Sequence, residues 1–257
     1  MPRISPATRL MYGAALAAMA LPALARLAPA QVPQPLADAQ QLIVVTTANW
    51  TAVSGTLHVF ERDARGRWTS AGADIRIVVG KSGMGWGRGL VPTLGFSGPD
   101  KQEGDGKAPA GAFALGTAFG YAPVDSARWL KLPYVQATSA LECVDDQGSR
   151  WYNKVLLRQS ATPAPDWHSS EVMRLKSDQY KWGIVVNHNT EPTISGSGSC
   201  IFMHIWSQEG SGTVGCTAMA EPNLRMVMQW LDPRKKPVLV QLTQYHYGRL
   251  RSSWGLP

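Results

Sequence analysis

Hydrophobic positions along this chain recur mostly at strand spacing. Residues 42–47 are a β-branched run, residues 56–60 alternate apolar with polar, and residues 75–79 are apolar again. The Asp63-Ala64-Arg65-Gly66 turn separates the last two, so the three segments predict an antiparallel meander. Strand patterns return at 182–187, 200–206 and 238–242. One segment has helical spacing: Leu224, Val227, Met228 and Leu231 fall on one face, and Asp232-Pro233 ends the run. Residues 80–111 are irregular and glycine-rich. They predict a mobile loop on which Trp86 and Arg88 stack on or pair with a ligand, or else a turn with Trp86 in the core. Residues 120–181, rich in Pro, Trp and Tyr, read as an insertion of short strands with a short helix near 169–175. The segment from Tyr245 onward reads as an extended basic tail.

The chemistry concentrates in residues 199–219, SCIFMHIWSQEGSGTVGCTAM. An apolar run carries His204, a Gly/Ser/Thr loop follows, and Gly215-Cys216 leads into what reads as a helix. A cysteine is nucleophilic as thiolate, and a free thiol with a pKa of about 8.5 is mostly protonated at neutral pH. A histidine within hydrogen-bond reach takes that proton, and a helix N-terminus beside the sulfur would add positive potential. Gly215 allows close backbone approach, and its amide is placed to hold an oxyanion. The expectation is a Cys216–His204 acyl-transfer centre. Thr213 and Thr217 flank it, and His188, on the neighbouring strand, either lines the same cleft or fixes a loop.

The histidine strand, the loop and Thr213-Val214-Gly215-Cys216 resemble the L,D-transpeptidase (YkuD-like) catalytic domain of bacterial cell-wall enzymes. GSCIFMHIW, ECVDD and EGDGKAPAGAF are similar to one bacterial branch of that family. The resemblance spans roughly residues 40–243 and implies a mainly β, mixed-strand sandwich with few short helices. It further implies that Cys216 attacks the L,D bond before the terminal D-alanine of a stem tetrapeptide. A diaminopimelate amine, or water, then resolves the thioester. The alternatives are an L,D-carboxypeptidase or peptidoglycan hydrolase using the same pair, and a wall-binding protein without turnover. Ala218 stands where relatives carry Arg, so another cation is expected to meet the substrate carboxylates. Arg88 is the first candidate and Lys107 the second. The acids of Glu142-Cys143-Val144-Asp145-Asp146 are candidates to contact an acceptor amine.

Composition narrows the setting. Residues 1–30 combine Arg3 and Arg9 with an Ala/Leu/Met run and end in Ala28-Pro29-Ala30, the pattern of a secretory signal peptide and too short for a stable membrane span. Its removal takes Arg3, Arg9 and Arg26 and no acid, lowering the formal charge from +7 to +4. A mildly basic exported monomer suits the anionic polymer of the periplasm or cell envelope, with peptidoglycan stem peptides as partner. No basic cluster interleaved with aromatics points to nucleic acid. Residues 31–41, with two prolines, read as a linker, 42–243 as the catalytic domain and 244–257 as the tail.

Three cysteines in an exported chain leave one thiol unpaired. With Cys216 free, Cys143 and Cys200 either bridge or stand as small buried residues. His188, His204, Cys200 and Cys216 have the residue types of zinc ligands but match neither HExxH nor paired CxxC spacing, so no metal or cofactor is expected.

Overall fold

A computed structural model describes residues 1–2 and 33–257; the signal peptide expected over 1–30 lies outside the described residues. The elements are α1 (Gln34–Asp38), β1 (Gln41–Thr47), β2 (Ser54–Arg62), β3 (Trp68–Ser70), β4 (Ile75–Val78), β5 (Met84–Trp86) and β6 (Ala108–Gly120). Then come β7 (Tyr134–Gln136), β8 (Leu141–Cys143), β9 (Val155–Leu157), β10 (Glu171–Val172), β11 (Trp182–Val186), β12 (Phe202–Ile205) and β13 (Thr217–Met219). The chain ends with α2 (Glu221–Trp230), β14 (Val238–Thr243) and α3 (Gln244–Leu250). The protein is mainly β with few short helices.

The strands pair in the order β1-β14-β6-β11-β12-β13-β4-β2, and β2 pairs again with β1, so this path closes on itself. The meander forms as predicted at β1, β2 and β4, with β3 added beside β2. Thr217 and Gln241, on strands at opposite sides of the ring, meet through Thr217 Oγ1 and Gln241 Oε1, 2.6 Å apart. That contact marks the interior. Because side chains alternate along a strand, Met203 and Ile205 of β12 share the interior side, and Phe202 and His204 face outward. The main core of Leu, Ile, Val and Met lines the ring and its helical covering, including Leu224, Val227 and Met228 of α2.

A second layer covers the outward face of β12 and β13. It is a small sheet, in the order β10-β8-β9, built from the insertion. Phe119, Leu141, Cys143, Met173, Tyr180, Cys200, Phe202 and Cys216 pack together between the layers. Cys143 and Cys200 are disulfide-bonded with Cα atoms 5.9 Å apart, fastening the small sheet to the strand that carries His204.

Three expectations are corrected. Residues 169–175 hold strand β10, not a helix, because Glu171 and Val172 pair with Cys143 and Glu142. Residues 34–38 are helical rather than linker, since Leu36 and Ala39 are buried and Arg62 donates to the Ala39 carbonyl at 2.8 Å. The C-terminal segment is no extended tail: the Thr243 side chain caps α3, Trp254 and Leu256 are buried, and Trp68 donates to the Gly255 carbonyl at 2.8 Å. Its buried apolar side chains outweigh its basic composition. No helix among the described residues is long and apolar enough to cross a membrane.

Candidate active site

Strands β12 and β13 run parallel, with Met203 opposite Thr217 and His204 opposite Ala218. The register places Cys216 opposite Phe202, so the sulfur and the imidazole lie on the same outward face, diagonal to each other. Cys216 and His204 therefore share this face through strand pairing, with the intervening loop closing the parallel crossover.

His204 Nδ1 lies 2.8 Å from the Ile205 carbonyl oxygen. A carbonyl only accepts, which assigns the proton to Nδ1 and leaves Nε2 as the basic nitrogen. The ring packs edge-on against Tyr180 at 5.2 Å and is 4% exposed. Burial lowers its pKa to about 4, against the opposing pull of the Ile205 carbonyl. Cys216 is 3% exposed. Its Sγ accepts the Phe202 N–H at 3.3 Å and donates to the Cys200 carbonyl at 3.6 Å. Burial pushes the thiol pKa well up, and the nearby Glu171 adds to the rise, while the Phe202 N–H and Lys101 oppose it. The resting pair is thus a neutral thiol beside a neutral imidazole. Among the described residues, no hydrogen bond joins the two, contrary to the contact expected from the sequence; the thiol proton goes to the Cys200 carbonyl.

Two further expectations about activation change. Cys216 is followed by β13, and α2 begins only at Glu221, so among the described residues no helix starts directly after the sulfur. The Gly215 N–H donates to Thr213 Oγ1 at 3.1 Å and is thereby diverted from an oxyanion. Thr213 Oγ1 also donates to the Cys216 carbonyl at 2.7 Å, making Thr213 the brace of the turn that carries the thiol. Glycine suits position 215 because a Cβ there would come 3.3 Å from the Lys107 carbonyl.

The remaining predicted residues divide. Thr217 points into the ring, away from Cys216, and binds Gln241. Trp86 is 4% exposed, with its ring against Trp50, Phe96 and His246 and its indole N–H on the Ser97 carbonyl, so it is a core residue and not a stacking platform. His246 is buried beside it, with Nδ1 bonded to Thr243 Oγ1 at 2.8 Å. His188 is buried, accepts the Arg88 N–H at Nδ1 (3.2 Å) and meets the Ser197 carbonyl through Nε2 (2.9 Å). Both nitrogens are engaged in fixing loops, and burial lowers its pKa to about 4. Arg88 is exposed on a separate cleft of about 950 Å³, whose lining includes Lys101, Asn187 and Asn189 but neither Cys216 nor His204. Lys107 stays close to Gly215 through its backbone carbonyl.

The acids of the ECVDD stretch are structural. Glu142 receives Arg158 (2.7 and 3.0 Å), Trp167 (2.8 Å) and Ser170 (2.6 Å), and the guanidinium holds its pKa down to about 2. Asp146 accepts the Gly148 and His168 N–H groups, and Asp145 accepts Ser169 Oγ. In their place stand residues that no motif signals. Glu171 and Tyr180 lie in the second layer, with the Tyr180 hydroxyl 3.1 Å from Glu171 Oε1. Lys101, buried and paired with Asp105 at 2.7 Å, is a cation whose charge reaches Cys216. Among the described residues, no cluster of His, Cys, Asp and Glu is arranged to hold a metal ion.

No family model, curated protein or solved structure matches the chain.

Proposed function

We propose that the chain is an exported cysteine acyltransferase acting on peptidoglycan, an L,D-transpeptidase of the YkuD-like, β-sandwich type. The observation that carries this reading is the parallel β12–β13 pair, which sets a free thiol and an Nδ1-protonated imidazole side by side on one face. In the proposed reaction Nε2 of His204 takes the thiol proton as sulfur attacks the carbonyl before a terminal D-alanine. The C–N bond breaks, the imidazolium protonates the leaving amine, and a thioester remains on Cys216. A primary amine then attacks the thioester; its proton passes to His204, the C–S bond breaks, and the thiolate is reprotonated. The small sheet over the sulfur must shift for a substrate to enter, and the neutral resting pair protects the thiol until then.

The test is incubation of the protein with disaccharide tetrapeptides, followed by mass spectrometry of muropeptides. Cys216→Ala should abolish D-alanine release, and His204→Ala should lower it by about 100-fold or more. Activity unchanged in Cys216→Ala would sink the proposal. A second reading, wall binding without turnover, is favoured by the covered, neutral thiol. It predicts pull-down on intact sacculi with no change in muropeptides.

A further inference from the structure

Glu171 is the residue in the second layer turned toward the thiol. It pairs with Cys143 in the small sheet, and cross-strand partners share a face. Cys143 uses that face to bridge to Cys200, whose carbonyl accepts the Cys216 thiol. The Glu171 carboxyl is therefore directed at the interface where Cys216 and His204 lie. One oxygen accepts the Tyr180 hydroxyl at 3.1 Å. The other, Oε2, is buried with no hydrogen-bond partner among the described residues. A buried acceptor left open costs about 1–3 kcal/mol, and such a group in a native fold calls for a ligand or a function.

We propose that Glu171 is the acceptor-side residue of the site, receiving the ammonium of a primary amine at Oε2 and taking its proton before attack on the Cys216 thioester. This rests on the acyl-transfer reading above. The carboxylate removes one proton from R–NH3⁺, giving the free amine and a neutral carboxyl. The amine attacks the thioester carbonyl and gives its second proton to His204 Nε2. The C–S bond breaks, the sulfur recovers that proton, and Glu171 returns its own to solvent. Burial raises the Glu171 pKa to about 7, opposed by the Tyr180 hydrogen bond and assisted by Asp145 and Glu103, so the carboxyl exchanges protons near neutral pH. The groups facing it are Tyr180 from the turn before β11, Asp145 from the loop after β8, Glu103 from the loop before β6, and Cys216. Water needs no such proton acceptor for its charge, so Glu171 would favour transfer to amines over hydrolysis.

The experiment compares the full-length protein with Glu171→Gln on a disaccharide tetrapeptide donor, with and without a tripeptide bearing a free side-chain amine. D-alanine release and cross-linked product are read from pH 5 to pH 9. Gln keeps the shape and still accepts from Tyr180. Expected is a fall in the ratio of transfer to hydrolysis by about tenfold or more. The wild-type rise in transfer through pH of about 7 should disappear in Glu171→Gln and return in part in Glu171→Asp. An unchanged ratio and pH profile in Glu171→Gln overturns the assignment and leaves the Cys216 reading standing. A wild type that only hydrolyses overturns it too, in favour of a carboxypeptidase. D-alanine release surviving in Cys216→Ala removes the acyl-transfer reading and this proposal with it.

Discussion

The carbonyl oxygen of Cys200 lies 3.6 Å from the sulfur of Cys216, and Cys200 is itself bridged to Cys143. The bridge closes a loop of 57 residues. In the chain-entropy treatment that length corresponds to about 4 kcal/mol of stabilisation. The double variant Cys143→Ala, Cys200→Ala should therefore lower the free energy of unfolding by about 2–5 kcal/mol in urea titration. It should also speed alkylation of Cys216, since the sheet that covers the sulfur loses its fastening. A Cys216 labelling rate equal to that of wild type would show that the bridge does not hold the cover in place.

Stability should depend on pH with two opposing signs. His188 and His204 are held neutral with pKa values near 4, below the ordinary 6.5 of the unfolded chain. The unfolded state therefore binds more protons, and stability rises with pH across about 4 to 6.5. Lost in acid, this amounts to on the order of 3 kcal/mol per residue. Glu171 is raised from 4.5 to about 7, so the folded state binds more protons and stability falls as pH rises through that window. Glu171→Gln should gain stability relative to wild type between pH 5 and pH 8, measured by denaturant unfolding at fixed ionic strength. A constant difference across that range would rule out the buried, protonated carboxyl.

The strand that backs His204 should tolerate no side chain at Gly183. Gly183 is the register partner of His204, and a Cβ there would come 2.3 Å from the Phe119 ring. That ring is fully buried and packs edge-on against Phe202 and Tyr180. Gly183→Ala must push Phe119 into the layer that holds Tyr180 over His204. The expected cost is about 1–3 kcal/mol, read by thermal unfolding.

How much of this was legible in the sequence follows from the range of the interactions. Period-two and β-branched runs set β1, β2, β4, β11, β12 and β14, because alternation is a local property. The helical face of Leu224, Val227 and Met228 was readable for the same reason. Ring closure was not, since it depends on β1 pairing with β14 and β13 with β4, strands far apart in the chain. Cys216 and His204 stood out as a free thiol and a strand imidazole at short spacing. Glu171 did not: a lone acid between Ser170 and Val172 gains meaning only when the disulfide lays its strand over Cys216. Thr217 was misassigned, and the two readings of Trp86 stayed open, because nearness in sequence to Cys216 or to a glycine loop says nothing of the face a side chain takes.

The contact between Thr217 and Gln241 gives the sharpest test of that face assignment. Thr217 Oγ1 and Gln241 Oε1 are 2.6 Å apart, and Gln241 Nε2 donates to the Pro109 carbonyl at 2.8 Å. Both residues are almost fully buried, so the hydroxyl cannot be replaced by water without opening the ring. Thr217→Val keeps the shape and removes the donor, leaving Gln241 Oε1 unpaired at a cost of about 1–3 kcal/mol. Thr217→Ser keeps the hydroxyl and loses one methyl, which costs about 1 kcal/mol. The Val variant should therefore unfold at lower urea than the Ser variant, while both keep the wild-type KM for the tetrapeptide donor. A KM raised in the Ser variant with stability intact would place Thr217 on the substrate side of the strand, contrary to the interior position found here.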